Sequence, residues 1–260
     1  MGYENVQLVH KDGIAFVTID RPSRLNALDA RTIAELDEIF AALASDAEVR
    51  GVVVTGAGEK AFVAGADIEE LSRLDAPSGR ALAERGQRVF DRIEWLGKPV
   101  VAAVGGFALG GGCELALACH VRIASENATL GTPEVKLGLM CGYGGTQRLP
   151  RLVGRGAALE ILLTGERVDS TEALRLGLVN RVVPRESLLA EAEGLVRKMV
   201  ANGPLALKAT LEAVHGGLDR PLREALEGEA QLFGELVASE DAREGTRAFL
   251  EKRSPQFRGQ

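Results

Sequence analysis

Aromatic residues and cysteines are scarce in this 260-residue chain, and it has no long uninterrupted apolar run. Without about 18–20 consecutive apolar residues, the sequence predicts no membrane-spanning helix. The first residues show no charged segment followed by an apolar one, so we predict no secretory signal. The three cysteines, Cys113, Cys119 and Cys141, are an odd number in apolar or glycine-rich surroundings. This pattern disfavours a disulfide framework and favours a reducing compartment, so we expect a cytoplasmic protein.

Sequence motifs for metal, phosphate-loop and nucleophilic-serine chemistry are also missing. His10 and His215 lie in surface-like contexts, and His120 beside Cys119 lacks further ligands at metal spacing. The net charge is −6 and no basic stripe is present, which disfavours a nucleic-acid partner. We therefore expect no metal, no nucleic acid and no membrane as partners.

One segment, Gly56–Ala61, formally matches a dinucleotide-binding fingerprint that follows a strand. Such a fingerprint requires a helix that begins within the motif. Phe62–Gly65 looks extended and broken by glycine instead. We therefore interpret the segment as a turn that leaves a strand.

Short strands alternate with helices over the first two-thirds of the chain, and the last third has a helical pattern almost throughout. This order, with 46% hydrophobic residues, predicts an α/β protein with a sizeable core. Predicted strands are Val6–His10, Ile14–Asp20, Val52–Val54, Val100–Val104 and Val121–Ala124. Predicted helices include one capped by Asp29, then Gly79–Leu96, Glu114–Ala118, one that ends at Gly177, Leu188–Val200, Leu205–Val214 and Leu222–Leu236.

Three consecutive glycines, Gly110–Gly112, precede the short predicted helix Glu114–Ala118. Free backbone N–H groups and the helix dipole at this point favour a developing negative charge, as in half of an oxyanion hole. The N–H of Ala66, in another run of small residues, can supply the other half. The alternative is that the glycines only allow close packing against a neighbouring element.

Two glutamates, Glu114 and Glu134, are candidates for acid–base chemistry. Glu134 follows Pro133, which stiffens its loop. Two carboxylates that face one pocket can act as base and acid in the same turnover. Each glutamate taken alone is as readily a helix-terminal charge or a surface loop charge, and spacing does not decide between these interpretations.

Ordered motifs along nearly the whole chain resemble the crotonase (enoyl-CoA hydratase) superfamily. They are Asp20-Arg21-Pro22, Leu25–Leu28, Ala64–Asp67, Gly110–Leu115, Pro133-Glu134, Gly144–Leu149, Leu163–Gly165, Ala173 with Gly177–Val179, and Phe249–Arg253. The resemblance implies an α/β fold built as a spiral of strand–strand–helix units. It also implies a division into a core with the active site, residues 1–200, and a C-terminal helical region, residues 201–260. That region drives assembly into trimers, usually paired as a hexamer.

The resemblance further implies reversible addition of water across the 2,3 double bond of a 2-enoyl-CoA, which gives a 3-hydroxyacyl-CoA. Coenzyme A enters as part of the substrate, and no other cofactor is expected. Two acidic residues mark the hydratase branch: Glu114 takes a proton from water, and Glu134 supplies a proton to C2. The N–H groups of Ala66 and Gly111 bind the thioester oxygen. Coenzyme A binding is assigned to Leu25, Ala64, Ala66, Asp67 and Ile68, with Phe249 and Lys252 reaching a neighbouring subunit's cofactor.

The sequence departs from the family pattern at Met140-Cys141-Gly142-Tyr143, where a proline usually precedes Gly142. We expect these four residues to line the acyl pocket, with the Tyr143 hydroxyl as a polar handle. A short pocket of this kind predicts acyl groups of about four to six carbons. A hydratase for a branched or carboxylated substrate of the methylglutaconyl-CoA type, and an enoyl-CoA isomerase, remain alternatives. A non-catalytic acyl-CoA-binding or RNA-binding relative is disfavoured by the two glutamates and the acidic charge.

Overall fold

Two β-sheets and eleven helices make up the computed structural model, which describes residues 2–260. The strands are β1 Val6–Lys11, β2 Ile14–Ile19, β3 Gly51–Gly56, β4 Ala61–Val63, β5 Val100–Val104, β6 Phe107–Leu109, β7 Val121–Ser125, β8 Thr129–Gly131, β9 Arg167–Asp169 and β10 Arg181–Val183. The helices are α1 Ala30–Ser45, α2 Ile68–Leu71, α3 Ala76–Glu94, α4 Gly111–Ala118, α5 Gly145–Val153, α6 Arg155–Thr164, α7 Ser170–Arg175, α8 Leu188–Val200, α9 Pro204–Leu218, α10 Leu222–Val237 and α11 Glu240–Leu250.

The larger sheet has the strand order β1-β2-β3-β5-β7-β10, and the smaller sheet has the order β4-β6-β8-β9. Apart from antiparallel β1–β2 and β8–β9, all neighbouring strands are parallel. Three times in succession, the chain adds one strand to the larger sheet, one to the smaller sheet, and then a helix. These units are β3-β4 with α2 and α3, β5-β6 with α4, and β7-β8 with α5. The predicted spiral of strand–strand–helix units is therefore confirmed.

Both faces of the larger sheet are covered, which explains why its central strands are continuous apolar runs. All five residues of β5 are buried. On one face, buried residues of α1 and α3 join the main core. On the other face, α8 contributes Leu188, Ala192 and Val196 to a second core with residues of β2, β3, β5 and β7. The sheet edges and the helix ends that reach the site are thus held on a rigid, well-packed base.

Several local predictions agree with the structure. Asp29 caps α1, since its side chain accepts a hydrogen bond from the Thr32 N–H. The segment Gly56–Ala61 is a turn, because it leaves β3 and enters the extended strand β4 instead of a helix. The rejection of a dinucleotide fingerprint there is therefore correct.

Other local predictions require correction. The region after Gly144 is not entirely helical, because it contains β9 and β10, and strands of three residues are too short to show an alternating pattern. Helix α3 begins at Ala76, before the expected Gly79, because Asp75 and Ser78 form a capping box. Helix α4 begins at Gly111, three residues before the expected Glu114, so two of the three glycines lie inside its first turn.

The C-terminal helices form the part of the chain that was predicted as an oligomerisation region. Helix α10 packs against α9 and touches α11. The division into residues 1–200 and 201–260 stays a prediction. Within residues 2–260, no helix combines the length and the apolar character needed to cross a membrane.

Candidate active site

Glu114 lies in the first turn of α4 and is 2% exposed. Its Oε1 atom accepts hydrogen bonds from the backbone N–H groups of Tyr143, at 2.8 Å, and of Gly145, at 2.7 Å. A buried carboxylate needs such donors, because burial of an unpaired charge is costly. The two donors fix one oxygen and thereby orient the carboxylate.

Helix α4 places Glu114 because its start packs directly against the smaller sheet. All eight of its residues are buried. A Cβ atom on Gly112 would lie 2.0 Å from the Val63 carbonyl oxygen, so glycine is required at this position by close approach of backbone to backbone. Gly110 precedes the helix at φ 51°, a left-handed conformation that favours glycine.

Glu134 approaches the same point from the 3₁₀ turn Pro133–Leu137 that follows β8. Its Oε1 atom lies 2.9 Å from the position that a Cβ atom on Gly110 would occupy. Its Oε2 atom is buried and has no hydrogen-bond partner among the described residues. One oxygen of Glu114, one oxygen of Glu134 and the Cys141 sulfur all lie within 4.8 Å of one another. The two glutamates, 20 residues apart in sequence, therefore meet in space.

Burial changes the proton affinity of both carboxylates. It raises the pKa of Glu114 to about 7, while the hydrogen bonds from Gly145 and Tyr143 partly oppose it and the nearby Glu134 adds to it. The pKa of Glu134 is also raised, again mainly by burial. Two adjacent carboxylates of this kind titrate as a pair. They can hold one proton between them near neutral pH, which suits acid–base chemistry.

Two backbone N–H groups beside the carboxylates are without a protein acceptor in the part of the chain that is described. Leu28 forms a parallel bridge with Ala66. In this bridge the Leu28 N–H donates to the Gly65 carbonyl oxygen, and the Asp67 N–H donates to the Leu28 carbonyl oxygen. The N–H of Ala66 therefore points away from Leu28. The N–H of Gly111 is in the first turn of α4, where no carbonyl of the helix can accept from it. Both N–H groups are available to bind an oxygen that gains negative charge.

The comparisons with known proteins agree with one another. The family described as enoyl-CoA hydratase/isomerase matches residues 9–260. The short-chain-enoyl-CoA hydratase of Clostridium acetobutylicum is 47% identical over 253 residues, which covers 97% of each chain. The crotonyl-CoA hydratase of Syntrophomonas wolfei is 45% identical over 257 residues, which covers 99% of each chain. A solved enoyl-CoA hydratase of Bacillus anthracis superposes with a TM-score of 0.96 at 38% identity, over 99% of this chain and 100% of that one.

The chain belongs to the enoyl-CoA hydratase/isomerase family. The family match covers nearly the whole chain, and the identity with the relatives far exceeds what a shared fold alone requires. The resemblance to the crotonase superfamily and the α/β fold class predicted from the sequence motifs are both confirmed.

The four residues predicted to line the acyl pocket, Met140 to Tyr143, differ in their burial. Cys141 and Tyr143 are buried, and the Tyr143 ring packs edge-on against Phe90 with the ring centres 5.5 Å apart. Gly142 accepts a hydrogen bond from the Gln87 side chain through its carbonyl oxygen. Met140 is 66% exposed and lines the same surface groove as Cys141. The assignment of residues 140–143 to an acyl pocket stays a prediction.

The predicted coenzyme A-binding residues are held by backbone contacts between two loops. The Ala64 N–H donates to the Leu25 carbonyl oxygen, and Leu25 adopts a positive φ of 51°. Asp67 caps α2 and pairs with Arg21 at 3.3 Å, so its carboxylate has a structural role as well. The half-exposed Ile68 follows it. Leu25 also lines a cavity of about 300 Å³ beside the Ala57–Ala61 turn.

Phe249 and Lys252 lie in a separate part of the chain, at the end of α11 and in the turn after it. Phe249 is 83% exposed, and Lys252 is exposed as well. The assignment of these two residues to a neighbouring subunit's cofactor stays a prediction, as do the other binding assignments.

Sequence reasoning missed how the site is supported. Arg148 donates from Nη1 to the Tyr143 carbonyl oxygen at 3.0 Å and from Nε to Glu94 at 2.8 Å. It thereby holds the loop whose N–H groups bind Glu114. The adjacent glycines 144 and 145 were the signal for a tight loop, but nothing in their spacing reveals its partner.

Two of the histidines are also better defined by the structure. The sequence predicts a surface position for His215, but its ring packs at a tilt against Trp95 and His120, and only 19% of its side chain is exposed. His120 accepts a hydrogen bond from the Val100 N–H and contacts the Glu94 carbonyl oxygen through its other nitrogen. Burial lowers the pKa of His120 to about 4, so it is a neutral structural residue.

Among the described residues, the set whose atoms are close enough to hold a metal ion is Glu114, Glu134 and Cys141. The two carboxylates in that set are the ones whose raised pKa values suit proton transfer. The expectation that the protein works without a metal stays a prediction.

Proposed function

We propose that this protein is an enoyl-CoA hydratase, which adds water reversibly across the 2,3 double bond of a 2-enoyl-CoA to form a 3-hydroxyacyl-CoA. The observation that carries the proposal is the meeting of the buried Glu114 carboxylate and the half-buried Glu134 carboxylate, beside the free N–H groups of Ala66 and Gly111. Membership of the family and the hydratase names of its relatives support it.

In the proposed reaction, both glutamates hold one water molecule. Glu114, with one oxygen fixed by two N–H donors, takes a proton from the water as its oxygen attacks C3. Glu134 supplies a proton to C2. The elements of one water are thereby added across the double bond, with hydroxyl at C3 and hydrogen at C2. Glu114 gains one proton and Glu134 loses one, so the enzyme as a whole holds the same number of protons before and after the turnover. No redox step and no cofactor beyond the substrate's own coenzyme A are required.

During the attack, the thioester becomes enolate-like and its oxygen gains negative charge. The N–H groups of Ala66 and Gly111 would donate to that oxygen, and the dipole of α4 adds to the stabilisation. Removal of one such donor typically lowers a rate by about 10²–10³-fold. These donors belong to the backbone, so side-chain substitution does not remove them directly.

The test is loss of the conjugated thioester absorbance of crotonyl-CoA in the presence of the protein. Glu114→Gln and Glu134→Gln should each lower turnover by at least about 10²-fold, because a general acid or base contributes about 10²–10⁴. Binding of coenzyme A thioesters, measured by calorimetry, should persist in both variants. Near-full turnover in either variant contradicts its assigned role. If the protein moves the double bond of a 3-enoyl-CoA but does not hydrate crotonyl-CoA, it is an isomerase and the proposal is wrong.

We further propose a preference for short acyl chains of about four to six carbons, because the buried Cys141 and Tyr143 would close the far end of an acyl pocket. The printed activities of the two relatives, on short-chain enoyl-CoA and on crotonyl-CoA, support this proposal. A panel of straight, branched and carboxylated enoyl-CoA substrates tests it through kcat/KM. A higher kcat/KM for chains of about ten carbons or more contradicts it.

The proposed active form is a trimer or a hexamer in the cytoplasm. Large apolar side chains are exposed on the last three helices of a single chain, including Leu218, Leu222, Phe233, Val237, Phe249 and Leu250. Many exposed large apolar side chains on one group of helices are typical of a chain that buries them in an interface. The three free, buried cysteines suit a reducing compartment.

A further inference from the structure

Cys141 is the third side chain of the cluster that Glu114 and Glu134 form. It is 6% exposed, and its sulfur lies with one oxygen of each glutamate inside a 4.8 Å triangle. A Cβ atom on Gly145 would lie 3.0 Å from both the Cys141 sulfur and Glu114 Oε1, so the thiol is packed into the loop that binds Glu114. The thiol is therefore part of the immediate surroundings of both carboxylates.

The state of this thiol follows from its surroundings. Burial raises the pKa of Cys141, and the two glutamates raise it further. The group therefore stays protonated and has one S–H donor to offer. Glu114 Oε1 already receives two backbone donors, whereas Glu134 Oε2 has no partner among the described residues. Glu134 is thus the acceptor that still lacks a donor.

We propose that Cys141 is a positioning residue for the hydration reaction, in which its S–H group donates to the Glu134 carboxylate and holds it in the orientation from which it delivers a proton to C2. This inference rests on the proposed function. Such a hydrogen bond would lower the Glu134 pKa and so counteract part of the effect of burial. The usual proline of the family cannot act in this way, because its side chain has no donor.

Loss of the thiol should therefore affect the proton-transfer step more than substrate binding. Without the donor, the ionised form of Glu134 is less stable, so the pKa of the group rises and it gives up its proton less readily. In Cys141→Ala, kcat for crotonyl-CoA should fall by about 3–10-fold, which is the effect of one modest hydrogen bond, with KM little changed. The pH limb of kcat that depends on Glu134 should move to higher pH.

Cys141→Ser is the matched rescue variant, because a hydroxyl also donates one hydrogen bond. It should restore most of kcat and return the pH limb toward its position in the original protein. Cys119→Ala is the control for loss of a buried cysteine, since the Cys119 thiol donates to the Leu115 carbonyl oxygen and lies outside the carboxylate triangle. That control should leave kcat and its pH profile unchanged.

A second measurement is independent of activity. The S–H stretching band of Cys141, obtained as the infrared difference between the original protein and Cys141→Ala, should lie at the low frequency of a hydrogen-bonded thiol. It should shift when the acceptor is changed in Glu134→Gln and stay in place in Glu114→Gln.

The inference is overturned if Cys141→Ala keeps the original kcat and pH profile. It is overturned as well if the frequency of the S–H band does not change in Glu134→Gln. It is also overturned if Cys141→Ala and Cys141→Ser change KM and chain-length preference equally and leave the pH profile of kcat in place. The thiol would then only shape the pocket. Failure of the proposed function looks different, because the unsubstituted protein itself would then fail to hydrate crotonyl-CoA.

Discussion

At the residue scale, burial and hydrogen bonding shift the pKa of Glu114 in opposite directions. Burial favours its neutral form, whereas the N–H groups of Tyr143 and Gly145 favour its ionised form. Burial prevails and raises its pKa to about 7. A buried carboxyl group with this affinity can both lose and regain a proton at the pH of a cell, which an exposed glutamate does poorly.

The pH dependence of kcat/KM should therefore have its acid limb near neutrality. The base must be ionised to accept a proton, so activity falls as pH drops through the pKa of the free enzyme's carboxylate pair. With the pKa of Glu114 at about 7 in place of the ordinary 4.5, that fall begins at neutral pH. Steady-state rates with crotonyl-CoA at a series of pH values check this. An acid limb at the ordinary pKa of glutamate contradicts it.

The raised pKa of Glu114 should also lower the free energy of unfolding at neutral and alkaline pH. Between its unfolded pKa of about 4.5 and its folded pKa of about 7, the Glu114 carboxyl group binds more protons in the folded state than in the unfolded state. The free energy of unfolding therefore falls as the pH rises through this range. Glu114→Gln does not titrate, and its amide oxygen can still accept from Tyr143 and Gly145. The variant should exceed the original protein in free energy of unfolding by about 1–3 kcal/mol at about pH 8, with little difference near pH 4.5. Urea unfolding at both pH values measures this, and an equal or larger gap at the lower pH rules it out.

At the element scale, the start of α4 decides where the site forms. The helix is buried on all sides, begins at Gly111, and abuts the Val63 carbonyl oxygen. Its N-terminus can therefore present both Glu114 and the Gly111 N–H only if no side chain separates it from β4. The close contact with Val63 requires glycine at position 112, and the glycine-rich local sequence supplies it. Agreement between local sequence and tertiary contact helps to specify a unique fold.

Gly112→Ala should therefore be strongly harmful, while Gly194→Ala is the matched control. The new Cβ atom at 112 would lie 2.0 Å from backbone oxygen, so we expect a loss of at least about 2–3 kcal/mol in stability together with loss of activity. Gly194 lies inside α8 with no atom near its Cβ position, and alanine there should add about 0.5–1 kcal/mol. Thermal unfolding of both variants checks the pair. Similar stability changes of the same sign in the two variants contradict the argument.

At the scale of the whole molecule, the spiral carries the two candidate catalytic glutamates, and the final helices carry exposed apolar side chains. Glu114 comes from the second strand–strand–helix unit and Glu134 from the third, so the site lies where successive units meet. Helices α9 to α11 leave residues such as Leu222, Phe233 and Leu250 in contact with solvent in a single chain. Burial of such side chains between subunits is the driving force expected for assembly.

Light scattering of the purified protein should give the mass of a trimer or a hexamer. Replacement of Phe233 and Leu222 by aspartate should shift the mass toward the monomer, because burial of unpaired charge in an apolar interface is costly. Leu189→Asp, on the exposed face of α8, is the control and should leave the mass unchanged. A monomeric mass for the original protein, at a concentration where it is active, removes the proposed assembly.

Motifs in the sequence, through their resemblance to a known family, predicted the family, strands β1, β2, β3, β5 and β7, and the two glutamates that the structure brings together. Caps such as Asp29 and the continuous apolar run of β5 are local signals, and local signals survive in a sequence because they depend on neighbours along the chain. The sequence does not predict strands β6, β8, β9 and β10, because each has three residues that depend on a sheet built by distant segments. Only the tertiary structure decided that Tyr143 and Gly145 support Glu114, that Met140 is exposed and that the Cys141 thiol lies close to the carboxylates. These are contacts between residues up to 31 positions apart, and packing, which no local period encodes, brings them together.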